Sequence, residues 1–260
     1  MTGEQLELDG QFADAGLLAL LGMGSSPGKT NVMAVRAVRE LGSTPERIDV
    51  IAAGRDLDPP DGPSYPYSPQ TLVDELTMEP MAVRDGAPVA LEPMSDGGEV
   101  DFPQPIGRSA TIYTLHSEIR TFPESFGCTE SSFRLSLAPA VVARVRSLLD
   151  GSAEDIAAAA AAAVPSSPHT VSVHMIEAGG PTGAVTVTAV TEPMEEWGIG
   201  GGIVSTAAPA AAAVRLMARG SIDATGAMPP ERCLEPDDLF PELERRNCTF
   251  RVEVKEGVSR

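Results

Sequence analysis

The sequence predicts an α/β fold with α+β character, an open mixed β-sheet carrying helices on its faces. Three observations predict it. Residues 17–41 run from an apolar segment through a glycine loop into a helical pattern, the layout of a strand that ends at a helix start. Strand and helix candidates then intermix along the chain, neither strictly alternating nor segregated. Late in the chain, β-rich runs at 169–177 and 184–191 flank Gly179-Gly180-Pro181-Thr182-Gly183 and read as a hairpin.

The elements follow in order. Residues 4–16 form a weak amphipathic helix in which Leu8 and Phe12 share a face, interrupted by Gly10 and Gly16. A buried strand at 17–22 leads into a helix at 29–41 that Gly42 stops. Residues 47–54 read as a strand, and Ser68-Pro69 opens a helix reaching Leu76. Strands at 82–84 and 89–91 flank the hairpin pair Asp85-Gly86. The polar cluster Ser95-Asp96-Gly97-Gly98-Glu99 reads as a loop before strands at 110–115 and 131–137. A helix at 139–149 precedes the capping pattern at 152–155, which opens an alanine-rich helix to Ala163. A glycine loop at 198–202 precedes a helix at 207–219, and the chain finishes with a helix at 236–246 and a strand at 248–254.

Charge and cysteine usage exclude several functions. Of 260 residues, 19 are Lys or Arg and 37 are Asp or Glu, a formal charge of −18 that disfavours nucleic acid or an anionic membrane as partner. Three scattered cysteines, Cys128, Cys233 and Cys248, make neither a disulfide framework nor a zinc knuckle, and a cytoplasmic location fits. No signal peptide is visible, and the longest apolar stretch, 157–164, is too short to span a bilayer.

The first glycine loop nearly fits two phosphate-binding templates. A Walker loop needs glycine where Met23 stands, and Gly22-x-Gly24-x-x-x-Gly28 misses the strict dinucleotide spacing by one residue. Residues 25–30 still offer N–H donors and hydroxyls at a helix start, although a purely structural turn accounts for the pattern equally. Lys29 reads as a solvated first-turn residue. His116 and Glu118 are two apart and share one face if they lie on a strand, so they can act as an acid–base pair. A strand histidine bonded to a neighbouring carbonyl is the plainer reading. Arg120 continues the alternation and suits a substrate carboxylate, or a surface ion pair. Glu99, after two glycines, can reach a cleft or remain a solvated turn acid. His169 and His174 face opposite sides of a strand, and no metal site is expected. Cys128 has no evident base, and Trp197 lines a pocket or a core.

Four segments carry a family resemblance. They are Gly24-Ser25-Ser26-Pro27-Gly28-Lys29-Thr30-Asn31, Asp96-Gly97-Gly98-Glu99-Val100-Asp101-Phe102-Pro103, Tyr113-Thr114-Leu115-His116-Ser117-Glu118-Ile119 before Thr121-Phe122-Pro123, and Met217-Ala218-Arg219-Gly220 with Pro229-Pro230-Glu231. In this order they resemble the saccharopine dehydrogenase-like family over residues 10–247. The resemblance implies that residues 1–45 correspond to the end of a Rossmann domain and 46–260 to a substrate-binding and dimerisation domain, the leading Rossmann half being absent. One departure is Ser205-Thr206-Ala207-Ala208-Pro209, where the family often has Thr-Gly-x-Pro.

The implied function is an oxidoreductase acting on a C–N bond of an amino-acid-like small molecule, with NAD(P) and a separately encoded Rossmann half. Two alternatives stand beside it: a cofactor-independent enzyme performing acid–base cyclisation or isomerisation in the same pocket, and a non-catalytic subunit. The resemblance assigns His116 and Glu118 to catalysis, Glu99, Tyr113 and Arg120 to substrate, and Gly24, Ser25, Pro27, Gly28 and Thr30 to the cofactor near its nicotinamide. The isolated chain is expected to bind NAD(P)H weakly or not at all. His116, Glu118, Glu99 and residues 25–28 are expected in one pocket. A homodimer is expected, partly because the β-rich region 169–191 must cover its edges.

Overall fold

A computed structural model describes residues 2–149 and 151–257; the last three positions of the 46–260 segment lie outside them. The elements are α1 (Gly3–Leu6), α2 (Asp9–Asp14), β1 (Leu18–Leu20), α3 (Lys29–Leu41), β2 (Arg47–Asp56), α4 (Pro69–Thr77), β3 (Met81–Arg84), β4 (Ala87–Ala90), β5 (Asp96–Asp101) and β6 (Arg108–Tyr113). A 3-10 turn, Ser117–Arg120, precedes α5 (Phe122–Phe126), β7 (Glu130–Ser136), α6 (Pro139–Leu149), α7 (Ala153–Ala161), β8 (Thr170–Gly180) and β9 (Gly183–Thr191); two more lie at Glu195–Trp197 and Pro230–Arg232. Then come α8 (Gly201–Ala218), β10 (Gly226–Met228), α9 (Pro236–Glu244) and β11 (Cys248–Glu256).

The architecture is the open mixed sheet with helices. Seven strands run in the order β11-β9-β8-β2-β7-β3-β4, and the β5–β6 hairpin joins beside β7 through Ile112↔Leu135 and Tyr113↔Arg134. Among the described residues only the central β2–β7 pair of this sheet is parallel; β2 pairs antiparallel with β8 on its other side. Because neighbouring strand residues point to opposite faces, β2 buries Val50 and Ala52 in one core and Ile51 and Ala53 in another. The first core lies under α3, whose Val32, Met33, Ala34 and Ala37 are fully buried against β8 and β9. Each large aliphatic side chain buried there contributes about 1.5–3 kcal/mol. β1 and β10 form a separate two-stranded parallel sheet, Leu18↔Gly226 to Leu20↔Met228, with Asp9 Oδ1 accepting the Ala227 N–H at 2.9 Å.

Local signals placed many elements. α3 ends where Gly42 turns left-handed (φ 68°), α4 starts after Ser68-Pro69, and the 152–155 capping box forms. Other expectations are corrected. The 4–16 helix is two short helices separated at Glu7 and Leu8. The 95–99 loop is largely strand β5, held by pairing with β6 and by Thr111 Oγ1 donating to the Gly98 carbonyl at 2.8 Å. The helix expected from 207 begins at Gly201, because Gly201 has no side chain to collide with the Thr191 and Thr170 carbonyls it lies against. Among the described residues β8 and β9 are interior strands covered by β2 and β11, so the 169–191 region presents no free strand edge. By length and composition α8 is apolar enough to cross a membrane, which the 157–164 stretch was not; in this fold 44% of it is buried, against β8, β9 and α9.

Candidate active site

The loop before α3 is held mainly by its own backbone. The Gly24 N–H donates to the Pro27 carbonyl at 2.8 Å, Lys29 N–H to Gly24 at 2.9 Å and Thr30 N–H to Ser25 at 3.1 Å. Gly28 N–H donates to Asn31 Oδ1 at 2.7 Å. Gly28 is required by this closure: its φ is +128°, and a Cβ would run into the Gly24 backbone. Asn31 is tied in turn to the tail of the chain, its Nδ2 donating to Glu231 Oε2 at 2.7 Å. Glu231 Oε1 accepts from Thr121 at 2.6 Å and Ser125 at 3.0 Å. Burial raises the Glu231 pKa despite those bonds.

The anion at this helix start is the chain's own Glu118. It is fully buried, and its Oε1 accepts from Ser26 Oγ at 2.6 Å and Thr30 Oγ1 at 3.1 Å. The positive end of α3 favours that charge. His116 Nδ1 lies 3.7 Å from Glu118 Oε2, and its Nε2 is 2.7 Å from Glu75 Oε1. Tyr67 donates to the other Glu75 oxygen at 2.5 Å. The imidazole stacks on Phe133 with ring centroids 3.5 Å apart. Burial alone would lower the His116 pKa, but the charges of Glu118, 3.7 Å from the ring, and of Glu75, with the Glu75 hydrogen bond, outweigh it and push it up to about 9. Burial opposes ionisation of Glu118 as well, yet His116 and the Ser26 hydroxyl hold its pKa below the ordinary value. His116 is therefore an imidazolium at neutral pH, clamped between two carboxylates, with its side chain 15% exposed.

Two further basic groups lie deeper. Lys29, expected in solvent, is 1% exposed and donates to Thr191 Oγ1 at 3.2 Å and Ser205 Oγ at 2.8 Å. α3 packs on β9, and Thr191 at the end of β9 and Ser205 of α8 meet the Lys29 side chain, which is turned inward. Burial lowers its pKa. His174, on β8, is held well below the usual histidine value by burial and then by the charges of Lys29 and His116, and its Nδ1 is buried without a hydrogen-bond partner.

The sequence candidates thus separate. His116 and Glu118 are together, with Ser26 and Thr30 of the loop, but not by strand alternation: β6 ends at Tyr113, and Glu118 lies in the 3-10 turn that His116 precedes. Ser25 faces α8 instead, its Oγ 3.4 Å from Thr206 Oγ1. Tyr113 is the last residue of β6, its N–H bonded to the Ser95 carbonyl at 3.0 Å. Arg120 is exposed, with its guanidinium beside Gly3. Glu99 is exposed on β5 and paired with Arg108 at 2.7 Å, so the structure does not bring it to His116. Two open clefts, of about 480 and 590 Å³, are lined by neither His116 nor Glu118. Burial pushes the Cys128 thiol up to about 11, which leaves it a poor nucleophile. Sequence reasoning missed Glu75 and Tyr67, which reach the site from α4 and the loop before it with no local signal.

The loop was also tested against a dinucleotide. The N–H groups of Gly24, Gly28, Lys29 and Thr30 are engaged within the chain, and the Ser26 and Thr30 hydroxyls are given to Glu118. As folded, these residues do not fit a pyrophosphate, which would compete with a buried carboxylate of its own sign; the nicotinamide end, where the resemblance places this loop, makes no such demand on its N–H groups.

Comparison with known proteins supports the fold. The structure is similar to an apo saccharopine dehydrogenase (L-Glu forming) from Saccharomyces cerevisiae, with TM-score 0.70 and 13% identity over 98% of this chain and 78% of that one. No family model and no curated protein matches the sequence. At that identity the likeness extends to the fold alone.

Proposed function

We propose that this chain is a small-molecule enzyme in which His116 performs acid–base chemistry at a C–N bond of an amino-acid-like substrate. The observation that carries the reading is the His116 imidazolium, held between Glu75 and Glu118 at the partly open side of a buried polar cluster. A protonated histidine at neutral pH is a general acid. With Nε2 bonded to Glu75, the proton at its disposal is the one on Nδ1, which lies 3.7 Å from Glu118 Oε2, beyond hydrogen-bond distance. That proton can pass to a leaving hydroxyl or amine as an imine forms or breaks and be replaced from water, while the Glu118 charge favours the protonated ring. The saccharopine dehydrogenase-like fold and the ordered motifs support an amino-acid-like substrate.

The oxidoreductase reading shares this site and takes its nicotinamide from a separate Rossmann half. The second reading, an acid–base cyclisation or isomerisation that uses no nicotinamide, needs only the His116 and Glu118 side chains that this chain carries itself. One experiment serves both. The chain is incubated with a panel of N-substituted amino acids in D₂O, with and without NADPH, and products and solvent deuterium incorporation are followed by NMR. Conversion or exchange that falls at least about 100-fold in His116→Asn is expected, the usual scale of a general acid–base contribution. Unchanged rates in that variant would overturn the assignment; conversion or exchange by this chain without NADPH supports the second reading, and turnover that appears only when NADPH and a separate Rossmann half are both supplied supports the first.

A further inference from the structure

Amines are scarce in this chain. Of its 19 basic residues only Lys29 and Lys255 are lysines, and the remainder are arginines, whose guanidinium does not deprotonate in proteins. Lys255 is exposed on β11 and serves as an ordinary solvated cation. Lys29 stands in the opposite environment, in the motif that also supplies Ser26 and Thr30 to Glu118.

The surroundings of Lys29 suit an amine better than an ammonium. Its Nζ is bonded to two hydroxyls, Thr191 and Ser205, and among the described residues no carboxylate lies within ion-pair distance of it. An ammonium buried without a counter-ion is costly, whereas a hydroxyl can turn to donate to a neutral amine as readily as it accepts from a charged one. The start of α3 carries partial positive charge and adds to the penalty on the ammonium. Nearby His174 interacts electrostatically with both Lys29 and His116, and its Nδ1 is buried with no partner.

We propose that Lys29 is a covalent amine site, whose Nζ condenses with the carbonyl of a small aldehyde or 2-oxo acid to form an imine. The nitrogen attacks the carbonyl carbon and a C–N bond forms. The C–O bond then breaks, and the oxygen leaves as water with the two hydrogens that Nζ gives up, so no oxidant or reductant is needed.

Reductive trapping tests the proposal on the intact chain. The protein is incubated at pH 7 with glyoxylate or, separately, acetaldehyde in the presence of cyanoborohydride, then digested and mapped by mass spectrometry. An ordinary exposed lysine, with pKa about 10.4, is deprotonated in only ~0.04% of molecules at pH 7. Lys29 is therefore expected to be labelled at least tenfold faster than Lys255, with the ratio falling to about one in urea-unfolded protein. Labelling of Lys255 or the N-terminus with Lys29 untouched in the folded chain would overturn the proposal. The inference stands apart from the role of His116, because the adduct on Lys29 is expected in the His116→Asn chain as well.

Discussion

Replacing Glu75 with glutamine removes one of the two carboxylates that keep His116 charged and leaves a neutral acceptor of the same shape. The bond lost is a charge-assisted contact of 2.7 Å between largely buried side chains. Such bonds are worth about 1.5–3 kcal/mol, and one pKa unit is 1.36 kcal/mol, so the His116 pKa should fall from about 9 by about 1–2 units. The assay is an NMR titration of the imidazole Cε1–H, assigned with His116→Asn. The same shift has a stability counterpart. A histidine whose folded pKa is raised contributes stability that is fully present below its unfolded value, 6.5, and is lost as pH rises through about 9. That gap corresponds to about 3 kcal/mol, an upper bound because Glu118 and Glu75 share the interaction. Glu118, with its pKa depressed, bounds the window on the other side, losing its contribution as pH falls below the ordinary carboxylate range. The wild-type advantage over His116→Asn in urea unfolding should therefore shrink between pH 6 and pH 10. Titration of His116 at or below 6.5 in the wild type, or an unchanged midpoint in Glu75→Gln, would refute the clamp.

Gly28→Ala should destabilise by about 3 kcal/mol or more, because the residue combines a positive φ with contact against the Gly24 backbone; a melting temperature lowered by about 6 °C or more checks it. Ser26→Ala should cost about 1.5–3 kcal/mol near neutral pH, the value of a hydrogen bond to a buried charge, and less where Glu118 is protonated, as read by urea unfolding at two pH values. Glu99→Ala removes an exposed pair with Arg108, so melting temperature, substrate conversion and Lys29 trapping should all be unchanged.

What was legible in the sequence was local. Gly42, Ser68-Pro69, Asp85-Gly86 and the 152–155 box act within a few residues of themselves, and the structure places a helix end, helix starts and a hairpin there. Strand β5 was hidden because Gly97 and Gly98 have little β-propensity; its stability comes from β6, which no local signal reports. The pairing of His116 with Glu118 was anticipated with the wrong geometry, since a 3-10 turn and a strand can both bring positions two apart within reach. Glu75 was invisible for a different reason. It is 41 positions from His116 and meets it only because α4 packs near the 3-10 turn. Lys29 was misplaced because a first-turn lysine is solvated unless other elements cover it, and the β9 and α8 residues that do so are more than 160 positions away.

The small sheet of β1 and β10 sets an order of assembly. Leu18 can meet Gly226 only after roughly 200 intervening residues are organised, and a two-stranded sheet is marginal on its own. It should therefore be among the last parts to form and among the first to open. Its opening would free α1, α2 and β1 while leaving residues 24–31 fastened through Asn31, Glu231 and Glu118. In native-state hydrogen exchange, the N–H of Leu21, bonded to Met228, should then exchange well before the interior amides of α3, with the candidate site still assembled.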